Sequence, residues 1–180
     1  DLEKSGRIVP STLKFIDIAG LVKGASQGQG LGNQFLGHIR SVDAIAHVVR
    51  LFEDGDVVHV DGRIDPVNDL DVILTELMLA DLESLEKRRD KAHKLARAND
   101  PDARLEYELI KSLAGQLGDG RIPEYDKNNP KLVEWVKGYG LLSMMPAFVC
   151  ANTDEENFRT FGPSEKAKAL VEFAAKHGME

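Results

Sequence analysis

The chain has 180 residues, of which 42% are hydrophobic, a formal net charge of −7 and a single cysteine, Cys150. This length suits one ordinary domain or one domain with an insertion, and no stretch approaches the length of a membrane span. The acidic balance argues against an evenly basic nucleic-acid binder but is compatible with a local basic patch. A lone cysteine excludes an internal disulfide and favours a reducing compartment, so we expect a cytoplasmic protein.

A short strand followed by a mobile loop is predicted near the start of the chain. The β-prone run Leu13 to Ile16 ends in Asp17, and Gly20 follows three residues later. Four glycines within residues 24–32 then form a loop that cannot hold one conformation unaided. A carboxylate at a strand end beside a mobile loop is typical of a nucleotide-dependent switch. The alternative for Asp17 is a simple cap at the end of the strand.

The following elements alternate in type. The pattern predicts a short helix over 33–42, a buried parallel strand over 44–49 and a shorter strand over 57–60. The glycine-rich run at 28–33 does not fit a dinucleotide fingerprint, since Asn33 stands where the last glycine is needed. Strand, helix and strand in this order predict a mostly parallel α/β sheet.

A long helical hairpin is predicted next. Asp65 and Pro66 form a standard helix start, and apolar residues recur at helical spacing until Asn99-Asp100-Pro101. A second helix carries leucines at 105, 109, 113 and 117. Two helices joined by so short a turn predict an antiparallel hairpin that projects from the sheet. A third helix over 130–139, a strand over 145–151 and a last helix from Ser164 to Gly178 follow.

Histidines and the cysteine offer no clear site. His38, His47 and His59 have the spacing of neither a two-histidine helical pair nor a zinc site. We expect His47 to be a core histidine with its hydrogen bonds satisfied, and Cys150 to lie in a buried strand.

Several motifs together carry a resemblance to a known family. They are Asp-Ile-Ala-Gly-Leu-Val at 17–22, Gly-Leu-Gly-Asn at 30–33, Phe-Leu-Gly-His-Ile-Arg at 35–40 and Asp-Ala-Ile-Ala-His-Val-Val-Arg at 43–50. In these the chain resembles the YchF subfamily of Obg-like ATPases, which are P-loop NTPases of the TRAFAC class. The resemblance implies a P-loop-type, mostly parallel sheet with a coiled-coil-like helical insertion. The implied domains are 1–64 and 141–180 for the nucleotide-binding domain and 65–140 for the insertion.

The phosphate loop of such proteins, Gly-x-x-x-x-Gly-Lys-Ser/Thr, does not occur in these 180 residues. We therefore interpret the chain as a piece of a longer protein, and the resemblance implies that this protein also carries a C-terminal TGS module. The strand before that loop would lie in the middle of the sheet, so its absence predicts a gap there. We expect this polypeptide by itself to bind nucleotide poorly or not at all.

The resemblance assigns roles near the first strand. It implies that Asp17 positions Mg²⁺, usually through water, and that the Gly20 N–H faces the γ-phosphate. Many GTPases place a glutamine after this glycine to orient the attacking water, whereas this chain has Leu21. We therefore predict slow intrinsic hydrolysis. The alternative is that Leu21 simply packs beneath the loop.

A second set of residues follows the strand over 145–151. Guanine-reading loops of this fold use Asn-Lys-x-Asp, and here Asn152 is followed by Thr153 and Glu155. Glutamate is longer by one methylene, so its grip on guanine is misplaced, and we predict adenine preference or weak discrimination. The alternative is a plain turn that caps the next segment.

Basic residues cluster on the first hairpin helix: Lys87, Arg88, Arg89, Lys91, Lys94 and Arg97. One interpretation is a stripe that contacts RNA or the ribosome. The other is a solvated helix face with pairs such as Glu83–Lys87 and Asp90–Lys94.

Two functions remain open from the sequence. The first is a ribosome-associated ATPase or GTPase that hydrolyses its nucleotide with Mg²⁺ as a conformational switch. The second is a non-catalytic helical adaptor that binds RNA or the ribosome through the basic hairpin. A phosphate loop encoded upstream of Asp1 would distinguish them.

Overall fold

The computed structural model of the chain describes residues 9, 11–18, 31–52, 65–97, 100–160 and 164–179. These residues form α-helices and β-strands in the order α1 Leu31–Ile39, β1 Ile45–Arg50, α2 Pro66–Ala96, α3 Pro101–Gly118, α4 Pro130–Tyr139, β2 Ala147–Asn152, α5 Glu155–Thr160 and α6 Glu165–Lys176. A short 3-10 turn, Leu142–Met144, precedes β2. None of the helices described is both long and apolar enough to cross a bilayer.

The two strands form a parallel pair, which confirms the predicted α/β class. Their register runs from Ile45 beside Ala147 to Arg50 beside Asn152. Side chains alternate along β1, so that His47 and Val49 are buried. Because the strands are parallel, both end at the same edge of the sheet.

The opposite face of this pair is exposed, and this corrects one expectation. Val48 is 69% exposed and Phe148 is 43% exposed. Cys150 lies beside Val48 in the register and is also exposed. The prediction of a buried Cys150 was wrong because it treated the apolar run as covered on both sides, whereas along β2 partly buried residues alternate with exposed ones.

A second correction concerns Leu13 to Ile16. This segment has no strand structure, and Leu13 and Phe15 are 78% and 77% exposed. A strand needs a hydrogen-bonded neighbour for its N–H and C=O groups, and within the described ranges no strand pairs with this segment. The predicted strand over 57–60 and the glycine-rich loop before residue 31 lie outside the described residues.

The helical hairpin forms as predicted. α2 has 31 residues and starts at Asp65, whose side chain accepts a hydrogen bond from the Asn68 N–H. α3 starts at Asp100, whose carboxylate accepts from the Asp102 N–H at 2.9 Å. The His93 and Tyr107 rings, whose centroids are 5.1 Å apart, mark where the two helices meet near the connecting turn.

The hairpin buries a row of leucines between its helices. Leu85 of α2 and Leu113 of α3 are 0% exposed, and Leu117 is 4% exposed. Burial of one such side chain is worth about 1.5–3 kcal/mol, so this seam holds the helices together. At the other end of α2, Leu77 packs with Leu36 and Ile39 of α1.

A buried carboxylate fixes α2 to the turn before β2. Asp81 is 0% exposed and accepts hydrogen bonds from the N–H groups of Leu142 and Ser143, both at 2.8 Å. The Ser143 hydroxyl also donates to it, at 2.7 Å. The first N–H groups of a helical turn lack partners within the turn, and Asp81 supplies them from a distant part of the chain.

The remaining helices also have local start and stop signals. Asn129 caps α4 and Ser164 caps α6 through their side chains, as expected. Gly140 ends α4 in the left-handed conformation, with φ of 62°. The sequence analysis did not predict the short helix α5.

Candidate functional site

The carboxyl ends of β1 and β2 bring polar groups to one edge of the sheet. Arg50 and Asn152 are partners in the register, and the Leu51 N–H donates to the Asn152 carbonyl at 2.8 Å. The main chain of Asn152 is thereby fixed, while the residue itself is exposed. In parallel α/β sheets ligands bind beyond the carboxyl ends of the strands, so Asn152 occupies a suitable position for binding.

Thr153 directly follows β2. Its Oγ1 atom is buried and has no hydrogen-bond partner among the residues that the structure describes. Buried hydroxyl groups without partners are costly, and they are frequently found where a ligand completes the bonding. The sequence analysis selected Thr153 only as a substitution in a motif and gave no sign of this unpaired hydroxyl.

Glu155 is the first residue of α5 and already has a partner. Its carboxylate lies 2.6 Å from the Arg159 guanidinium, and both side chains are largely exposed. An exposed pair of this kind contributes little stability because water and salt screen it. Glu155 can therefore exchange Arg159 for another hydrogen-bond donor at small cost.

Asp17 is exposed and lies in extended chain. Its neighbour Ile18 packs against the cluster of α1, α2 and the 3-10 turn, which anchors this part of the chain. No hydrogen bond or ion pair between described residues joins Asp17 to Asn152 or Glu155. Gly20 and Leu21 fall outside the described residues.

The described part of the chain holds no group of three or more histidine, cysteine or acidic side chains suited to a metal ion. A single exposed carboxylate such as Asp17 does fit Mg²⁺. That ion is usually bound by one or two carboxylates, with substrate phosphates and water as the other ligands.

The basic side chains of α2 divide into two groups. The first group is the exposed lysines Lys87, Lys91 and Lys94. They are four and then three residues apart, which places them on one face of the helix. Lys87 pairs with Glu83 at 2.5 Å, as expected. The expected Asp90–Lys94 pair is not formed among the residues described, so that prediction was wrong.

The two arginines make contacts within the fold. The Arg88 guanidinium lies 5.2 Å from the centre of the Tyr139 ring in α4, a cation–π contact. The Tyr139 hydroxyl donates to Glu106 of α3 at 3.2 Å. Arg89 is 4.0 Å from Glu86 and 40% exposed. Arg88 therefore helps to hold α2, α3 and α4 together, a role that the charge run alone did not indicate.

A solved structure and a family model show the class of protein to which the chain belongs. The structure matches that of the Schizosaccharomyces pombe YchF GTPase with a TM-score of 0.69 and 34% identity, over 88% of this chain and 43% of that one. The fold is thus part of a P-loop GTPase-type α/β domain with a helical insertion. The family of 50S ribosome-binding GTPases matches residues 3–96, and the chain belongs to that family.

Relatives identify the branch of the family. The ribosome-binding ATPase YchF of Pasteurella multocida is 42% identical over 96% of this chain and 47% of its own length. That of Bacillus subtilis is 41% identical over 100% of this chain and 49% of its own length. The expected resemblance to YchF is confirmed, and the chain spans about half the length of the curated relatives it matches.

Proposed function

We propose that the whole protein containing this chain is a cytoplasmic, ribosome-associated P-loop NTPase that hydrolyses ATP or GTP with Mg²⁺ as a conformational switch. The observation that carries the proposal is similarity along nearly the whole chain to proteins named ribosome-binding ATPase. The position of Asn152 and Thr153 at the carboxyl edge of the parallel pair supports it.

The base would be read by Asn152, Thr153 and Glu155. Glu155 is free to leave its exposed pair with Arg159, but its length suits guanine poorly. Titration of labelled ATP and GTP into the complete gene product should show adenine preference or little discrimination. Strict GTP preference would contradict this assignment.

A shorter carboxylate gives a sharper test. Glu155→Asp should raise the affinity for GTP relative to that for ATP, because the carboxylate of aspartate lies one methylene closer to the main chain. Glu165→Asp is a matched control, since Glu165 also starts a helix and forms an exposed pair, with Lys168 at 2.7 Å. If both variants leave the ratio unchanged, Glu155 does not face the base.

The metal would be held by Asp17, with Gly20 and Leu21 beside the terminal phosphate. When bound, Mg²⁺ supplies positive charge that stabilises the phosphates. Asp17→Asn should raise the Mg²⁺ concentration needed for nucleotide binding about tenfold or more, whereas Asp43→Asn, at another exposed site, should not. Equal effects would argue against the metal role.

Leu21 has no group that can orient water. We therefore expect slow intrinsic hydrolysis, comparable with the roughly 10⁻⁴–10⁻² s⁻¹ of unassisted GTPases. Single-turnover measurements on the complete gene product test this expectation, and rapid hydrolysis without a partner would contradict it.

Ribosome contact would use the exposed lysines of α2. Lys91 and Lys94 are the best candidates, since Lys87 is paired with Glu83, whereas Arg88 and Arg89 make contacts within the fold. Each phosphate contact contributes close to one unit to the slope of log affinity against log salt for duplexes. The double variant Lys91→Glu/Lys94→Glu should weaken co-sedimentation with ribosomes and flatten that slope.

Lys176→Glu, at an exposed position near the end of α6, is the control for this experiment. Ribosome binding that is unaffected by the α2 variant would exclude this face. Ribosome binding by a complete gene product that binds neither nucleotide would favour the adaptor function instead.

A further inference from the structure

A small cavity lies where β1 and β2 meet α2, the 3-10 turn and the end of the chain. Its volume is about 20 Å³, and its walls include His47, Leu74, Ser143, Ala147, His177 and Met179. A cavity needs roughly 10–15 Å³ to accept one water molecule, so this one has room for one but not for two.

His47, one of the residues that line the cavity, has an unmet hydrogen bond on its imidazole. His47 is 5% exposed, and its Nε2 atom is buried without a hydrogen-bond partner in the described part of the chain. Burial lowers the pKa of His47, which favours the neutral form of the ring. Whichever tautomer is present, Nε2 then either donates or accepts one hydrogen bond, and leaving it unmade costs stability.

Two further polar groups share the walls. The Ser143 hydroxyl donates a hydrogen bond to Asp81 at 2.7 Å, so the lone pairs of its oxygen can accept one from another donor. His177 contacts the Phe173 carbonyl through Nδ1 at 2.8 Å. Empty cavities in proteins are typically lined by apolar groups alone, whereas a cavity with two or more polar groups is a suitable site for water.

We propose that this cavity binds one water molecule, which hydrogen-bonds to Nε2 of His47 and to the hydroxyl of Ser143. The water extends the contact between Asp81 and Ser143 as far as the middle of β1. Three parts of the fold that are distant in sequence, β1, α2 and the 3-10 turn, then share one buried polar network.

Filling the cavity in the complete gene product tests the proposal. Ala147→Val adds two methyl groups at the wall and suits a strand. If water is present, the valine displaces it and leaves Nε2 unpaired. The unfolding constant should then rise about tenfold, whereas the same change in a His47→Phe background should be neutral or stabilising.

A stabilising Ala147→Val in the chain with His47 would show a dry cavity and overturn the proposal. If the valine destabilises both backgrounds alike, NMR of the unsubstituted protein distinguishes a hydrated cavity from a dry one. A long-lived water should then give cross-relaxation to the His47 ring and lose it in His47→Phe. Absence of that signal in the unsubstituted chain would overturn the proposal.

Discussion

Removal of the Asp81 carboxylate is the sharpest test of how the hairpin is attached. Asp81→Ala leaves the N–H groups of Leu142 and Ser143 and the Ser143 hydroxyl without their acceptor in a buried site. Hydrogen bonds to a charged group are worth about 1.5–3 kcal/mol each, but burying a carboxylate costs several kcal/mol.

The two effects oppose each other in the native protein. Burial raises the pKa of Asp81, and the hydrogen bonds from Ser143 and Leu142 oppose that rise. Truncation, however, leaves the buried donors unpaired, and because each such donor costs about 1–3 kcal/mol we expect a loss of about 3 kcal/mol. For a chain of this size that loss lowers Tm by roughly 6–12 °C.

Urea unfolding and thermal melting provide the assay, with Asp71→Ala as the control on the exposed face of the same helix. The control should cost less than about 0.5 kcal/mol. Ser143→Ala should cost about 1 kcal/mol and be coupled to Asp81→Ala in a double-mutant cycle. A loss at Asp81 no larger than at Asp71 would refute the attachment role.

The raised pKa of Asp81 determines the direction in which this group makes stability depend on pH. Since its pKa is raised on folding, the native state binds more protons than the unfolded chain between the two pKa values. The contribution of this group to the unfolding free energy therefore falls as pH rises through that window. Asp81→Asn should remove this part of the slope, and an unchanged slope would contradict the assignment.

Two further predictions concern α4. Gly140→Ala should destabilise the protein by about 1 kcal/mol, since φ of Gly140 is 62°. Gly138→Ala lies within the helix with open space around it and should stabilise the protein by up to about 1 kcal/mol. Urea midpoints that move in the same direction for both variants would contradict this. Burial and the neighbouring Glu106 raise the pKa of Tyr139. Glu106→Gln should therefore move the phenolate titration, followed by ultraviolet absorbance, to lower pH, and an unchanged titration would show that this carboxylate does not act on the ring.

Helix boundaries were predictable because their signals are local. Asp65 with Pro66, and Asn129 with Pro130, place a side-chain acceptor next to a residue that suits the first helical turn. The strand predicted at Leu13 to Ile16, which the structure does not have, rested on no such local signal. A strand depends on a neighbour elsewhere in the chain, and the apolar run carries no information about whether that neighbour is present.

Only the site positions that follow from the order of strands and helices along the chain could be predicted. Asn152 was predicted to follow directly after a parallel strand, so its position at the carboxyl end of the sheet could be inferred from the sequence. The contacts of Arg88 with Tyr139 and of Asp81 with Ser143 join residues far apart in the chain, and no local pattern encodes them. His47 is buried as expected, but among the described residues no protein group meets the hydrogen bond of its Nε2 atom.

The parallel pairing of β1 with β2 has a consequence for the order of folding. Ile45 and Ala147 are neighbours in the sheet but lie about a hundred residues apart in the chain. Closing so long a loop costs roughly 4 kcal/mol in chain entropy before any contact forms. The α2–α3 hairpin needs only local contacts, so it should form early and bring the two strand segments near each other. The insertion would then act as the folding nucleus of the sheet from which it projects.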